Sequence, residues 1–194
     1  MKRLVAIVIA MTWMISAPSA VEVGDDGLHK QEWFSITFRD IRDDIETARS
    51  QQKRLALMFE QIGCTYCKEI HENVLTDPEV REYIEKNFMM VQYNLYGDEE
   101  VMDLDGEELT EKTASRKWGV LFTPTIIFLS DEAPEGINTR EAAVAVMPGA
   151  FHKGTFLDMF TWVKEKGYET DESFQQFHAR SIRERREAGK VNTD

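Results

Sequence analysis

Cys64 and Cys67 are the two cysteines of the 194-residue chain, and only Thr65 and Tyr66 separate them. They stand in the stretch Gly63-Cys64-Thr65-Tyr66-Cys67-Lys68. A thiol at the start of a helix is favoured as a thiolate, because free N–H groups and the helix dipole stabilise negative charge there. A second thiol one turn further along can attack a mixed disulfide formed by the first. Lys68 adds positive charge nearby. Together these residues supply a nucleophile, a resolving thiol and a reversible disulfide. Three other readings use the same residues. A zinc site needs four ligands, whereas Cys64, Cys67 and His71 offer at most three nearby and no second cysteine pair exists. Haem attachment requires His directly after the second cysteine, and Lys68 stands there. An inert disulfide would staple only a very small loop. Redox chemistry fits the ligand count and the context best.

That chemistry needs a strand to deliver the pair and a helix to hold it. Leu55 to Phe59 is a nearly continuous apolar run, the pattern of a central strand buried on both faces. From Cys67 the pattern turns helical through Ile70, Val74 and Leu75. Thr76-Asp77-Pro78 interrupts it, with Asp77 as cap and Pro78 as first-turn residue of a new helix reaching about Lys86. Phe88 to Leu95 reads as a second central strand. Ahead of these, residues 21–32 read as an irregular lead-in and Trp33 to Phe38 as a strand or a strand-like start. Asp40 to Gln52, with Ile41, Ile45 and Ala48 at helical spacing, reads as an amphipathic helix. Beyond them, residues 97–108 are acidic and loop-like, and Leu109 to Trp118 is a helix stopped by Gly119. Ile126 to Leu129 and Ala142 to Met147 are late strands. Thr155 to Lys166 is an amphipathic helix, and a last helix runs from Asp171 to about Ala188. Alternating strands and helices indicate an α/β sheet covered on both faces.

Composition narrows the class. With 42% hydrophobic and 30% charged residues, the chain suits one globular domain with an appendage. It is long enough to bury a core without a disulfide framework. A formal net charge of −12 argues against general affinity for nucleic acid. Residues 1–20 read as a secretory signal: Lys2 and Arg3, then Leu4 to Ile15 broken only by Thr12, then Ser16, Ala17, Pro18, Ser19 and Ala20. The apolar run is short for a membrane span, so an uncleaved anchor is the lesser reading. Losing Lys2 and Arg3 with the signal takes the charge from −12 to −14. Export also places the cysteines in an oxidising compartment, where they can cycle.

The strand, Cys64-x-x-Cys67, helix unit, followed later by Thr123-Pro124-Thr125 and a strand, resembles the thioredoxin fold over roughly residues 33–167. Within that family the chain looks most like the periplasmic SoxW-type thioredoxins. The similarity is carried by Phe59-Glu60-Gln61, Gly63-Cys64, Tyr66-Cys67, Thr76-Asp77-Pro78-Glu79 and Gly97-Asp98. It continues in Asp105-Gly106-Glu107, Arg116-Lys117-Trp118-Gly119-Val120 and Phe122-Thr123-Pro124-Thr125. Cys67-Lys68-Glu69 and Asp77-Pro78-Glu79-Val80 also resemble the C-terminal domain of the DsbD transporter. The resemblance implies a cis Pro124 whose loop faces the cysteines, with Thr123 offering its backbone to an extended substrate peptide. It further implies that electrons come from a membrane thiol-electron transporter of DsbD or CcdA type and pass to oxidised protein thiols.

The chain departs from the wider family at Thr65-Tyr66, where cytosolic thioredoxins have Gly-Pro. It departs again at Met58, where many have a buried Asp. Glu60 and His71 are then the titratable groups nearest in sequence and candidates for proton transfer. The plainer reading, preferred until geometry is known, makes Glu60 a hydrogen-bonded strand-end acid and His71 a solvated helix residue. Tyr66 is expected to be exposed beside Cys67, where it either contacts a partner or packs on the loop. From Asp98 to Glu111 there are eight acids and no base, which reads as a solvated loop. Its echo of a calcium loop fails at Val101 and Lys112. Trp118 reads as core. The segment from His178 to Lys190 reverses the charge locally, with Phe174, Phe177 and Ile182 on a packing face.

The expected organisation is a signal peptide at 1–20, a thioredoxin-like domain at 21–170 and a C-terminal helical tail at 171–194. The expected class is α/β: a thioredoxin-like fold with a mixed central sheet flanked by helices and an extra C-terminal helix. The expected activity is periplasmic thiol-disulfide exchange, in the direction of a protein-disulfide reductase, with no cofactor and no metal. The alternatives are a Dsb-type oxidase or isomerase and a thiol-based metal carrier.

Overall fold

The computed structural model describes residues 21–189, so the signal reading of residues 1–20 lies outside the described residues. The elements run α1 (Ile41–Ser50), β1 (Arg54–Glu60), α2 (Thr65–Glu69), α3 (Pro78–Asn87) and β2 (Phe88–Asn94). They continue β3 (Glu100–Met102), β4 (Glu108–Thr110), α4 (Glu111–Lys117), β5 (Thr125–Leu129) and α5 (Thr139–Ala142). β6 (Ala143–Pro148), α6 (Lys153–Lys164) and α7 (Phe174–Glu187) complete the chain. A π-helical turn, Ile70–Val74, prolongs α2.

The main sheet has the order β2-β1-β5-β6. β1 pairs β2 in parallel and β5 antiparallel, and β5 pairs β6 antiparallel. The parallel pair needs a crossover, which α2 and α3 supply. Every residue of β1 is buried, as its apolar run predicts. Alternation along it sorts the core into two layers. Leu55, Leu57 and Phe59 face Ile41 and Ile45 of α1 and Trp118 after α4. Ala56 and Met58 face Ile70, Val74, Val80 and Ile84 on one side and Phe156 and Phe160 of α6 on the other. Trp118 is fully buried, and its indole ring meets Phe59 edge-on.

Local chemistry sets the element ends. Asp40 caps α1, accepting from Arg42 and Asp43 N–H, and Asp77 caps α3 through Glu79 and Val80 N–H with Pro78 in the first turn. Gly119, at φ 71°, turns the chain out of α4 where a side chain would be strained.

Two expectations are corrected. Residues 33–38 form no strand. Ser35 donates one backbone bond to Met90 at 2.7 Å, but Ile36 and Phe38 stand fully exposed and no ladder forms. Residues 97–108 are not simply a loop, because β3 and β4 pair into an antiparallel ribbon. Nor are the acids there uniformly solvated. Asp103 is buried beneath Trp118 and Thr139, and Glu111 is buried against the Asn94 N–H. A carboxylate that finds several N–H and O–H donors can enter the interior without losing its hydrogen bonds.

Candidate active site

Cys64 is the N-cap of α2, in extended conformation, and Cys67 lies in the first turn. The two sulfurs form a disulfide. Cys64 Sγ accepts the Cys67 backbone N–H at 3.1 Å, and Thr123 Oγ1 donates to the same sulfur at 3.2 Å. Cys67 is buried, whereas Cys64 retains 9% exposure. Cys64 is therefore the less buried of the two, and its sulfur holds two donors that favour charge on it. Lys68 is exposed and sits 3.8 Å from Glu72, which offsets the positive charge the sequence places beside the pair.

Thr123 arrives from the other end of the domain. β5 begins at Thr125, paired with Phe59 near the end of β1, and this register sets the preceding loop against the cysteine turn. The Thr123–Pro124 bond is cis, as the resemblance implies. The Pro124 carbonyl accepts from Gly149 N at 2.7 Å. Outside the ladders, no backbone hydrogen bond among the described residues engages Thr123. Around the Cys64–Thr123 contact the two segments present apolar side chains to solvent: Ile62 before α2 and Tyr66 in its first turn, and Leu121 and Phe122 before the cis proline. Tyr66 is exposed as expected. The sequence gives no site expectation for Ile62 and Leu121, and Phe122 enters it only as part of the Phe122-Thr123-Pro124-Thr125 motif; apolar residues beside the two motifs are the available signal.

Glu60 and His71, eleven positions apart, meet: His71 Nε2 and Glu60 Oε1 are 2.7 Å apart, with both side chains fully buried. His71 is not a solvated helix residue. Alternation explains Glu60, which follows Ala56 and Met58 onto the α2 face of the sheet. Helical spacing explains His71, because Cys67, Ile70, His71 and Val74 share the buried side of the helix. That i, i+3, i+4, i+7 pattern was the signal that could have placed His71 inside. Both ring nitrogens are engaged, Nε2 by Glu60 and Nδ1 by Gln31 at 3.2 Å, so His71 does not join the cysteines as a ligand. Among the described residues no group of three or more His, Cys, Asp or Glu side chains is placed to hold a metal ion.

A βαβ unit with a Cys-x-x-Cys disulfide at its strand-to-helix turn, faced by a cis-proline loop, defines a thiol-disulfide oxidoreductase of thioredoxin fold. Residues 41–159 match the family model of the thioredoxin-like domain, and the chain belongs to that family. No curated protein matches it significantly. Among solved structures, a thioredoxin-fold protein from Helicobacter pylori is similar at 18% identity and TM-score 0.56, covering 71% of this chain and 86% of that one. A thioredoxin from Thermus thermophilus is similar at 23% identity and TM-score 0.51, covering 66% of this chain and 86% of that one. The oxidised C-terminal domain of DsbD from Neisseria meningitidis aligns at 16% identity and TM-score 0.44, covering 62% and 90%.

Proposed function

We propose that the chain is an exported, periplasmic reductase of protein disulfides, akin to the SoxW-type thioredoxins. The observation that carries this reading is the sulfur of Cys64, at the N-cap of α2 and held by the Cys67 N–H and the Thr123 hydroxyl. Cys64 as thiolate attacks a substrate disulfide, and the buried Cys67 resolves the mixed disulfide. Thr123 pairs its backbone with the substrate peptide, while Tyr66 and the neighbouring apolar side chains contact it. Glu60 and His71 move the proton of the resolving step. No cofactor takes part. Residues 1–20 direct export, residues 21–170 form the working domain, and residues 171–194 are a tail. With two cysteines in the chain, electrons must come from another molecule, and a membrane thiol-electron transporter of DsbD or CcdA type is the donor.

Trapping with Cys67→Ser tests this. The variant is expected to accumulate mixed disulfides with periplasmic proteins, and the wild-type couple to have a reducing potential. A strongly oxidising potential would assign the chain to the Dsb-type oxidases or isomerases instead. Absence of any mixed disulfide, with tight copper or zinc binding by the reduced protein, would assign it to metal carriage.

A further inference from the structure

Two glutamines flank the buried Glu60–His71 pair, and each is locked in one orientation. Trp33 Nε1 can only donate, and it faces Gln31 Oε1 at 3.2 Å. The His71 carbonyl can only accept, and it faces Gln31 Nε2 at 3.2 Å. Both contacts turn the carboxamide oxygen to Trp33 and its NH2 to His71. The same NH2 lies 3.2 Å from His71 Nδ1, which must therefore present a lone pair. The ring proton then sits on Nε2 and is donated to Glu60 Oε1. On the far side, Lys30 Nζ donates to Gln92 Oε1 at 2.7 Å, and Gln92 Nε2 donates to the His29 carbonyl at 2.7 Å. That NH2 also donates to Glu60 Oε1 at 3.1 Å. Two fixed donors thus converge on one oxygen of Glu60. No hydrogen bond among the described residues falls on its Oε2.

We propose that Gln31 is a positioning residue of the redox site: held by Trp33, it fixes His71 as the Nε2–H tautomer, so that Glu60 takes up and returns the proton of Cys67. The inference rests on the proposed role of Cys67 as the resolving thiol. Cys67 stands one helical turn from His71 on the same buried face. In the resolving step the Cys67 S–H bond breaks and its proton passes to Glu60 Oε2. The freed sulfur electron pair forms the bond to Cys64. The bond between Cys64 and the substrate sulfur breaks, and the substrate leaves as a thiolate that water protonates. Two electrons pass from the dithiol to the substrate, and re-reduction runs the proton back. A second proton on His71 Nδ1 would oppose the Gln31 NH2, donor against donor, which directs the proton to the carboxylate. Gln92 also lines a polar cavity of about 510 Å³ with Asp26, Lys30 and Glu111, so solvent stands one side chain from Glu60. The titratable groups facing the pair are His29, whose ring is 5.7 Å from that of His71, and Lys30 and Asp26 behind Gln92; Cys67 precedes His71 by one helical turn.

Nitrogen NMR of the imidazoles in the full wild-type chain tests this without a variant. At neutral pH His71 is expected to show a protonated Nε2 and a bare Nδ1. A protonated Nδ1 overturns the proposal. In Gln31→Met the resolution rate in single turnover should fall about tenfold, the value of one lost hydrogen bond, with its pH profile displaced. The attack rate of Cys64, read in the Cys67→Ser background, should not change. An unaltered resolution rate and pH profile in Gln31→Met would also overturn it. Glu60→Gln should slow resolution about a hundredfold. If Glu60→Gln resolves like wild type, Glu60 is not the proton acceptor. If Cys67→Ser traps nothing, it is the underlying redox assignment that fails.

Discussion

Thr123 and Cys64, fifty-nine positions apart in sequence, meet through a hydroxyl donated to sulfur at 3.2 Å. The contact joins the loop before β5 to the turn after β1. Thr123→Val keeps the shape and removes the donor. The Cys64 thiolate should lose stabilisation of roughly 1 kcal/mol, so less of it should be present at a given pH. Alkylation rate against pH in the reduced protein measures this. An unchanged midpoint would show that the Cys67 N–H and the helix suffice.

Asp103 holds the acidic ribbon to the core. Its Oδ1 accepts from Leu104 N, Thr139 N and Thr139 Oγ1, and its Oδ2 accepts from Trp118 Nε1 at 3.0 Å and pairs with Lys117 at 2.8 Å. Burial raises its pKa, but hydrogen bonds from Lys117, Thr139 and Trp118 outweigh this and hold it below the usual 3.8. Its contribution to stability is therefore complete above about pH 4 and is lost as pH falls through the lower folded value. Asp103→Ala leaves buried N–H groups of Trp118 and Thr139 without an acceptor. It should cost about 3–5 kcal/mol in urea unfolding, as breaking a buried charged pair does. A loss below 1 kcal/mol would mean that water replaces the carboxylate.

Asp44 behaves in the opposite sense. It is buried on α1, and desolvation raises its pKa from 3.8 to about 6, against the opposing effect of the Thr37 hydroxyl at 3.0 Å. The folded state binds this proton more tightly than the unfolded chain, so stability declines as pH rises from about 4 to about 6. Asp44→Asn keeps an acceptor for Thr37 and removes the buried charge. It should gain about 1–2 kcal/mol at pH 7 and flatten stability across that window. Denaturant titrations at both ends of the window give the comparison, and a variant weaker than wild type at pH 7 would contradict it.

Asp158 on α6 anchors the last helix. It accepts Arg185 NH1 at 2.6 Å and NH2 at 2.8 Å, and it pairs with His178 Nδ1 at 2.6 Å. Phe177 is buried beside this clamp. Asp158→Ala should lower the local opening energy of α7 by about 2–3 kcal/mol while disulfide exchange at Cys64 continues. Amide exchange across residues 174–187 reads the change, and unaltered protection would place the anchoring in Phe177 alone.

Much of the fold was legible because its signals are local. The apolar run at Leu55–Phe59, the Asp77-Pro78 cap and the Gly119 stop each act within a few residues, and all three appear where expected. The segment at residues 33–38 misled because its aromatic and β-branched composition suits a strand, yet a ladder also requires a partner edge in register. The ribbon at residues 100–110 escaped notice because its strands are short and charged. Composition suggested solvent for Asp103, and three-dimensional proximity to Trp118 and Thr139 reversed that.

By itself the sequence determined the pair of cysteines, their place between a strand and a helix, and the cis-proline motif that completes the family. These depend on residue type and short spacing. Only the tertiary structure decided what surrounds the sulfur atoms. Strand alternation put Glu60 on the helix side, helical spacing turned His71 inward, and the N-terminal lead-in laid Gln31 against it. No local pattern encodes that convergence, because hydrogen bonds between side chains far apart in sequence arise only when separate elements pack.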